Sequence, residues 1–130
     1  MAAISLSNPE GVHAPQAAYS HAALVEGPGR RLVISAQAGV MPDGRISAQG
    51  NAQIDQAFQN LEAVLRANGM EPANVVKLTA FLTDRMLVTP WRRRRDSFLA
   101  GHAAAATLVL VSGFADPRFV VEIEAEAVAA

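Results

Sequence analysis

Apolar residues in the first third of the chain form two short segments separated by a turn. Residues 20–26 and 31–36 are mostly apolar and of the length typical of strands. Gly27-Pro28-Gly29 lies between them and consists of residue types that favour tight turns. This pattern predicts a β-hairpin.

The middle of the chain has helical periodicity. Apolar residues recur at intervals of three and four over 51–68, which predicts a helix with one buried stripe. Asn51 is expected to cap the start of this helix and Gly69 its end. A second helix is expected to begin at Thr89-Pro90, with threonine as N-cap and proline in the first turn. The stripe of the first helix consists of Ile54, Ala57, Phe58, Leu61, Val64 and Leu65.

The remaining apolar segments are predicted to be strands. Residues 74–82 and 107–112 are apolar and β-branched runs, and 119–128 alternates between apolar and mainly acidic positions. A loop over 113–118 connects the last two strands. The predicted order of elements is β, β, α, β, α, β, β.

These elements predict the α+β class. Two helices and a mixed sheet of five or six strands make a two-layer sandwich, with both helices on one face. The run 107–111 has no polar side, so the opposite face should be partly apolar. We therefore expect another subunit to bury that face.

Composition and charge narrow the class of protein. The length of 130 residues suits one domain over 1–130, and a hydrophobic content of 51% argues against disorder. The net charge of −1 provides no long-range attraction to nucleic acid or an anionic membrane. The absence of cysteine excludes thiolate nucleophiles and cysteine-ligated metals. No segment is typical of a signal peptide or a membrane span, so a cytoplasmic protein is expected.

Common catalytic motifs and metal-ligand patterns do not occur in the sequence. His13, His21 and His102 lack ligand spacing, which favours structural or surface roles over metal binding. Ser112 precedes a glycine at a strand end, but there is no G-x-S-x-G motif. We expect no metal site from these residues.

Four consecutive arginines, 92–95, lie in the first turns of the second predicted helix, where the helix dipole repels cations. They fan around most of the helix circumference, so the four cannot all face one ligand, and Arg93 should point to water. Arg95 falls on the apolar side and should be partly buried, either paired with a carboxylate or in an interface. The run is interpreted as a solvated or subunit-bridging face, an anionic-ligand contact, or an RNA contact. The lack of interleaved aromatic residues argues against RNA.

Three glutamates alternate along the last predicted strand. Glu122, Glu124 and Glu126 share one face at spacings of about 6.5 to 7 Å, close enough to raise one another's pKa where water is excluded. A carboxylate with a raised pKa can orient or deprotonate water. The alternative is a solvated strand edge.

Five segments carry a more specific pattern. They are YSHA at 19–22, LVISAQ at 32–37, NLEAVL at 60–65, VVKLTAFLTD at 75–84 and VEIEA at 121–125. In this order and spacing they resemble the reactive intermediate deaminases, also called the RidA or YjgF family, over nearly the whole chain. The resemblance implies a chorismate-mutase-like fold, a homotrimeric barrel built on the helix-free faces, and three ligand clefts between subunits. It also implies hydrolysis of enamine or imine acids to 2-oxo acids and ammonia, without metal or cofactor.

The resemblance assigns roles to particular residues. Glu122 matches the glutamate that positions the attacking water, and Tyr19 matches a tyrosine of the cleft. Ser35 and the backbone of Ala36 match the pocket segment, in which the family usually has glycine at the second position.

One departure from the family pattern concerns substrate binding. Where the family has an arginine that binds the substrate carboxylate, this chain has Ala106, followed by Thr107. Loss of such a charge-assisted contact should weaken substrate binding about ten- to 150-fold. Arg92, Arg95 and Arg118 are candidates for supplying a cation from another direction; alternatively, the ligand is a neutral carbonyl, amide or imine.

Two functions from different classes follow. The chain is predicted to hydrolyse a reactive imine, enamine or related metabolite, other than the usual 2-imino acids, through water held by Glu122. Alternatively, it is a non-catalytic trimer that binds a metabolite and regulates. A nucleic-acid partner is not expected from the sequence.

Overall fold

The computed structural model describes residues 3–15 and 20–130 and contains six strands and two α-helices there. The strands are β1 (Ala3–Ser7), β2 (Ala22–Glu26), β3 (Arg30–Ala38), β4 (Val75–Leu82), β5 (Ala105–Leu110) and β6 (Val121–Ala129). The helices are α1 (Gly50–Ala67) and α2 (Val88–Leu99), and single 3-10 turns precede β4 and α2.

The six strands form one mixed sheet in the order β1-β2-β3-β6-β4-β5. Neighbouring strands are antiparallel except for β4 and β5, which are parallel because α2 connects them across the sheet. The β2–β3 pair is the predicted hairpin. This architecture confirms the α+β class, with a mixed sheet and two helices on one face.

The core lies between the sheet and the helices. Every residue of the predicted α1 stripe is at most 2% exposed. Phe58 of this stripe packs against Trp91 and Phe98 of α2, with ring centroids 6.2 and 5.0 Å apart. In β6, alternate residues from Val121 to Ala127 are buried, as the sequence pattern predicts. The apolar sides of the two helices and of β6 therefore face one common core.

Several strand boundaries differ from the prediction. The sequence did not predict β1, whose apolar side chains are exposed and whose pairing with β2 alone defines it. The segment predicted as 107–112 begins earlier, because pairing with β4 starts at Ala105. The last strand begins later than predicted, because the backbone N–H groups of Phe119 and Val120 donate to Asp116 and Gln53 rather than to a neighbouring strand.

The start of α1 also differs from the prediction. The helix begins at Gly50 with Gln49 as N-cap, and no side chain caps it, so Asn51 already lies inside the helix. Its end agrees with the prediction: Gly69 has φ of +68°, a conformation that glycine adopts without strain, and directly follows the C-cap Asn68.

The start of α2 is earlier than predicted. The carboxylate of Asp84 accepts a hydrogen bond from the Met86 N–H at 2.8 Å and starts a 3-10 turn that continues directly into the helix at Val88. Thr89 is therefore not the N-cap, and Pro90 lies two positions further inside the first turn than expected. No described helix is long and apolar enough to cross a membrane.

The sheet face opposite the helices, called the helix-free face below, carries apolar side chains that are exposed in the single chain. As the sequence predicts, this face is partly apolar, a property typical of an interaction surface. Cross-strand pairing places on it five apolar residues that are between 36% and 70% exposed: Ile4, Leu6, Val33, Val109 and Val128.

Candidate functional site

Glu122 lies on the helix-free face, near the start of the central strand β6. Its strand, β6, runs between β3 and β4, and Glu122 pairs with Ala38 on one side and Phe81 on the other. The side chain is half-buried, and no residue in 3–15 or 20–130 donates a hydrogen bond to its carboxylate. Burial raises the pKa of Glu122, and the negative charge of Glu124 raises it further. A carboxyl group in this environment is suited to exchanging a proton with water.

The other two glutamates share this face, as predicted, but have different surroundings. Glu126 forms an ion pair with Arg31 of β3. Glu124 is exposed and lines an open cavity of about 340 Å³ together with Lys77 and Glu126. Glu122 thus differs from both neighbours, because it is half-buried without a cationic partner in the described chain.

Ser35 and Ala36 lie in a β-bulge where the pairing of β3 with β6 shifts. The Ser35 hydroxyl donates to the carbonyl of Ser20 at 2.6 Å, and the Ser35 N–H donates to the carbonyl of His21 at 2.8 Å. The bulge is therefore fixed to the segment before β2. Tyr19, the predicted cleft tyrosine, lies outside the described residues.

A buried polar network supports this bulge, and sequence reasoning missed it. The Gln37 amide donates to the carbonyl of Ser35 at 3.1 Å and to Nδ1 of His21 at 3.0 Å. Nε2 of His21 in turn donates to the carbonyl of His13 at 2.8 Å. Burial lowers the pKa of His21, which favours the neutral imidazole that this pattern requires. The available signal was a glutamine between two alanines near the end of β3.

A second buried amide fixes the chain just before β6. Gln53 of α1 donates to the carbonyls of Ser47 and Arg118, both at 2.8 Å, and accepts from the N–H of Val120 at 3.0 Å. Gln53 is 1% exposed. It therefore positions the backbone two residues before Glu122. The signal in the sequence is a polar residue directly beside the apolar stripe of α1.

Ala106 and Thr107 lie on β5, at the edge of the sheet. Ala106 pairs with Leu78 of the core, so its side chain is on the helix side, whereas Thr107 is on the helix-free face. There Nζ of Lys77 donates to the Thr107 hydroxyl at 2.6 Å. Because β4 separates β5 from β6, Ala106 is two strand spacings, about 10 Å, from the strand of Glu122. One chain does not bring Ala106 and Glu122 together.

Arg93 and Arg95 of α2 have the exposures that the sequence predicts. Arg92 and Arg93 are exposed, and Arg95 is partly buried, with Nη2 2.9 Å from the Asp96 carboxylate. Sequence reasoning missed Arg94, whose side chain is as buried as that of Arg95. Its Nε donates at 2.8 Å to the carboxylate of Asp55 on α1.

The remaining candidates for ligand contact have structural partners. Arg118 is exposed, and its guanidinium is paired with Asp116 at 2.7 Å. His102 donates from Nε2 to the carbonyl of Val75 at 2.7 Å. In the part of the chain that the structure describes, no group of three or more His, Asp or Glu side chains converges where a metal ion could bind.

Comparison with known sequences gives a family match over most of the chain. The family model described as "Endoribonuclease L-PSP" matches residues 11–129. A RutC family protein of Aquifex aeolicus is 37% identical over 71 residues, which cover 54% of this chain and 54% of that protein. The protein DfrA of Myxococcus xanthus is 35% identical over 82 residues, covering 58% of this chain and 62% of that protein. The chain thus spans little more than half the length of the curated relatives that it matches.

Solved structures match over nearly the full length. A protein of the Rid family, YyfA from Yersinia pestis, is 26% identical with a TM-score of 0.87, and the match covers 98% of this chain and 100% of that one. RidA from an Antarctic Psychrobacter species is 26% identical with a TM-score of 0.86, covering 95% and 98% of the two chains. These likenesses agree with the fold and with the segments identified in the sequence.

Proposed function

Because the chain belongs to the endoribonuclease L-PSP family, we propose that it is a RidA-like homotrimer that hydrolyses a reactive imine, enamine or related carbonyl metabolite. Each of its small-molecule sites lies between two subunits, and its substrate differs from the usual 2-imino acids. The protein is proposed to be a single cytoplasmic domain that needs neither metal nor cofactor.

In the proposed reaction, Glu122 transfers protons between water and the substrate nitrogen. It takes a proton from water as the C–O bond forms at the imine carbon, and passes that proton to the nitrogen. It then carries the hydroxyl proton to the same nitrogen as the C–N bond breaks. Ammonia leaves, a carbonyl compound remains, and the carboxylate is regenerated.

The environment of Glu122 is the observation that supports this role. Burial beside Ala38 and Phe81 raises the pKa of the Glu122 carboxyl, which brings proton uptake and release closer to neutral pH. The apolar helix-free face supports the trimer, since assembly would cover exposed valine and leucine side chains and exclude water from Glu122. Sedimentation should give three times the mass of the 13.7 kDa chain. A stable monomer at working concentration would contradict the proposed site.

The catalytic role is tested by Glu122→Gln, with Glu124→Gln as the matched control on the same strand and face. Imines formed in situ by a flavin amine oxidase from amines that are not 2-amino acids provide the substrate panel, and 2-imino acids formed by an amino acid oxidase provide the comparison. The measured quantity is ammonia release above the rate in buffer. Glu122→Gln should lose about 10²- to 10⁴-fold in kcat, the range for a proton-transfer group. Glu124→Gln should retain turnover and shift the acid limb of the pH profile to lower pH, because it removes a charge that raises the pKa of Glu122. Equal rates for Glu122→Gln and the wild type would exclude the role.

The second candidate function is non-catalytic metabolite binding or regulation by the same trimer. The observation that favours it is Ala106, which stands where the family arginine would bind a substrate carboxylate. This function predicts imine hydrolysis no faster than in buffer, together with a metabolite that raises the melting temperature. RNA binding, the weaker sequence alternative, would instead require affinity that falls steeply with salt.

A further inference from the structure

A cavity of about 340 Å³ lies on the helix side of the sheet, at the C-terminal end of α2. One wall consists of small side chains from the segment that leads into β5, and the other carries charged groups of α2. It will be called the α2-end cavity. Its lining residues are Arg95, Asp96, Leu99, Gly101, His102, Ala103, Ala104 and Ala106.

The Arg95 guanidinium in this cavity is held in a defined orientation. It lies over the Trp91 ring, with Cζ 5.3 Å from the ring centroid, and its Nε and Nη2 are 3.0 and 2.9 Å from the Asp96 carboxylate. A guanidinium has five N–H groups, and none of the described residues accepts from Nη1 of Arg95. The cation is therefore preorganised and keeps donors for a further acceptor.

The other wall supplies space. Ala104 and Ala106 leave room that a longer side chain would occupy, and the Nε2 hydrogen bond of His102 to Val75 fixes the loop that carries them. The cavity therefore combines one cation with a small apolar wall. A planar, singly charged anion with a short apolar substituent matches this combination.

The neighbouring carboxylate selects the charge of the ligand. Asp96 balances one positive charge of Arg95 and is itself exposed, so the pair together is neutral. A carboxylate monoanion can share the guanidinium with Asp96, whereas a phosphate dianion meets stronger repulsion from Asp96.

We propose that Arg95 binds the carboxylate of a small planar monoanion in the α2-end cavity and so provides the anion contact that an arginine at position 106 would have provided. The inference rests on the proposed function for its link to Glu122. Glu122 of the same chain lies on the opposite sheet face, so a neighbouring copy, approaching at the exposed edge of β5, must supply the carboxylate that acts on the bound acid.

Pyruvate binding, measured by isothermal titration calorimetry on the full-length chain, tests the assignment without turnover. Arg95→Gln should weaken pyruvate binding about ten- to 150-fold, as expected for loss of a charge-assisted contact. Arg93→Gln is the matched control, because it removes the same charge from an exposed position of the same helix. Methyl pyruvate, which lacks the negative charge, should bind equally to the wild type and Arg95→Gln.

Asp96→Asn provides a variant that does not depend on the packing of Arg95 against Trp91. It should bind pyruvate more tightly than the wild type, because it removes the competing carboxylate from an exposed position. The inference is overturned if the wild type does not bind pyruvate, if Arg95→Gln and Arg93→Gln bind it equally, or if inorganic phosphate binds as tightly as pyruvate. Unchanged turnover in Glu122→Gln would instead exclude the proposed function and leave pyruvate binding by Arg95 intact.

Discussion

Replacing Gln53 with leucine tests whether one buried amide holds the segment before β6. The change removes three hydrogen bonds, to the carbonyls of Ser47 and Arg118 and from the N–H of Val120. A neutral hydrogen bond contributes a net 0.5 to 1.5 kcal/mol, and a stranded partner adds its desolvation, so we expect a loss of about 2 to 4 kcal/mol in the free energy of unfolding. Leucine and glutamine have similar helix propensities, so the effect should not come from α1 itself.

Urea unfolding at neutral pH, at one fixed protein concentration, measures this loss. The matched control is Gln59→Leu, which makes the same substitution at an exposed position of α1. Among residues 3–15 and 20–130, the Gln59 side chain bonds only to exposed Asp55. It should change stability by no more than about 0.5 kcal/mol. If Gln53→Leu and Gln59→Leu unfold at the same urea concentration, the buried amide does not stabilise the segment, and the reasoning is wrong.

Further predictions concern pH and backbone packing. Glu122→Gln should raise the melting temperature at neutral pH. The raised pKa of Glu122 means that the folded chain binds the proton more tightly than the unfolded chain, so the wild type loses stability as pH rises through the two pKa values. The difference in melting temperature between variant and wild type should vanish in acid, and melting curves across pH check this. Gly39→Ala should cost about 1 to 3 kcal/mol in denaturant unfolding, because a Cβ at Gly39 would lie 2.5 Å from the Cα of Gln53. Gly113→Ala, where a Cβ meets no atom within 4 Å, should be nearly neutral; equal effects of the two alanines would contradict the close approach.

The elements of the fold could be predicted where apolar residues recur at helix or strand spacing within a short segment. The α1 stripe and the alternation of β6 identify themselves locally, because each buried position has a buried neighbour at helix or strand spacing. The β1 strand was missed although Ile4-Ser5-Leu6-Ser7 alternates, because the run is short and its pairing with β2 is not visible in the local sequence. The start of α2 was missed because Asp84, five residues before Thr89, already begins the turn.

The candidate site could be predicted only in part. Glu122 was identified from alternation and from the family resemblance. Arg95 was expected to be partly buried, either paired with a carboxylate or in an interface, and it is partly buried and paired with Asp96. The Gln53 contact joins residues 67 positions apart, and Arg94 pairs with a carboxylate on the other helix, so neither could be read from local spacing. The α2-end cavity likewise depends on how the end of α2 meets β5.

Buried and more exposed residues alternate along β6, and this alternation fixes the strand register that keeps Glu122 on the helix-free face. Moving the strand by one position would bury Glu122 and expose Ile123, which costs the desolvation of a carboxylate and the loss of a packed side chain. A one-residue insertion within β6 should therefore abolish folding and any chemistry together, whereas a two-residue insertion restores the facing of the later side chains. Evolution can vary the wall of the α2-end cavity without disturbing this acid, because the two lie on different strands and on opposite sides of the sheet.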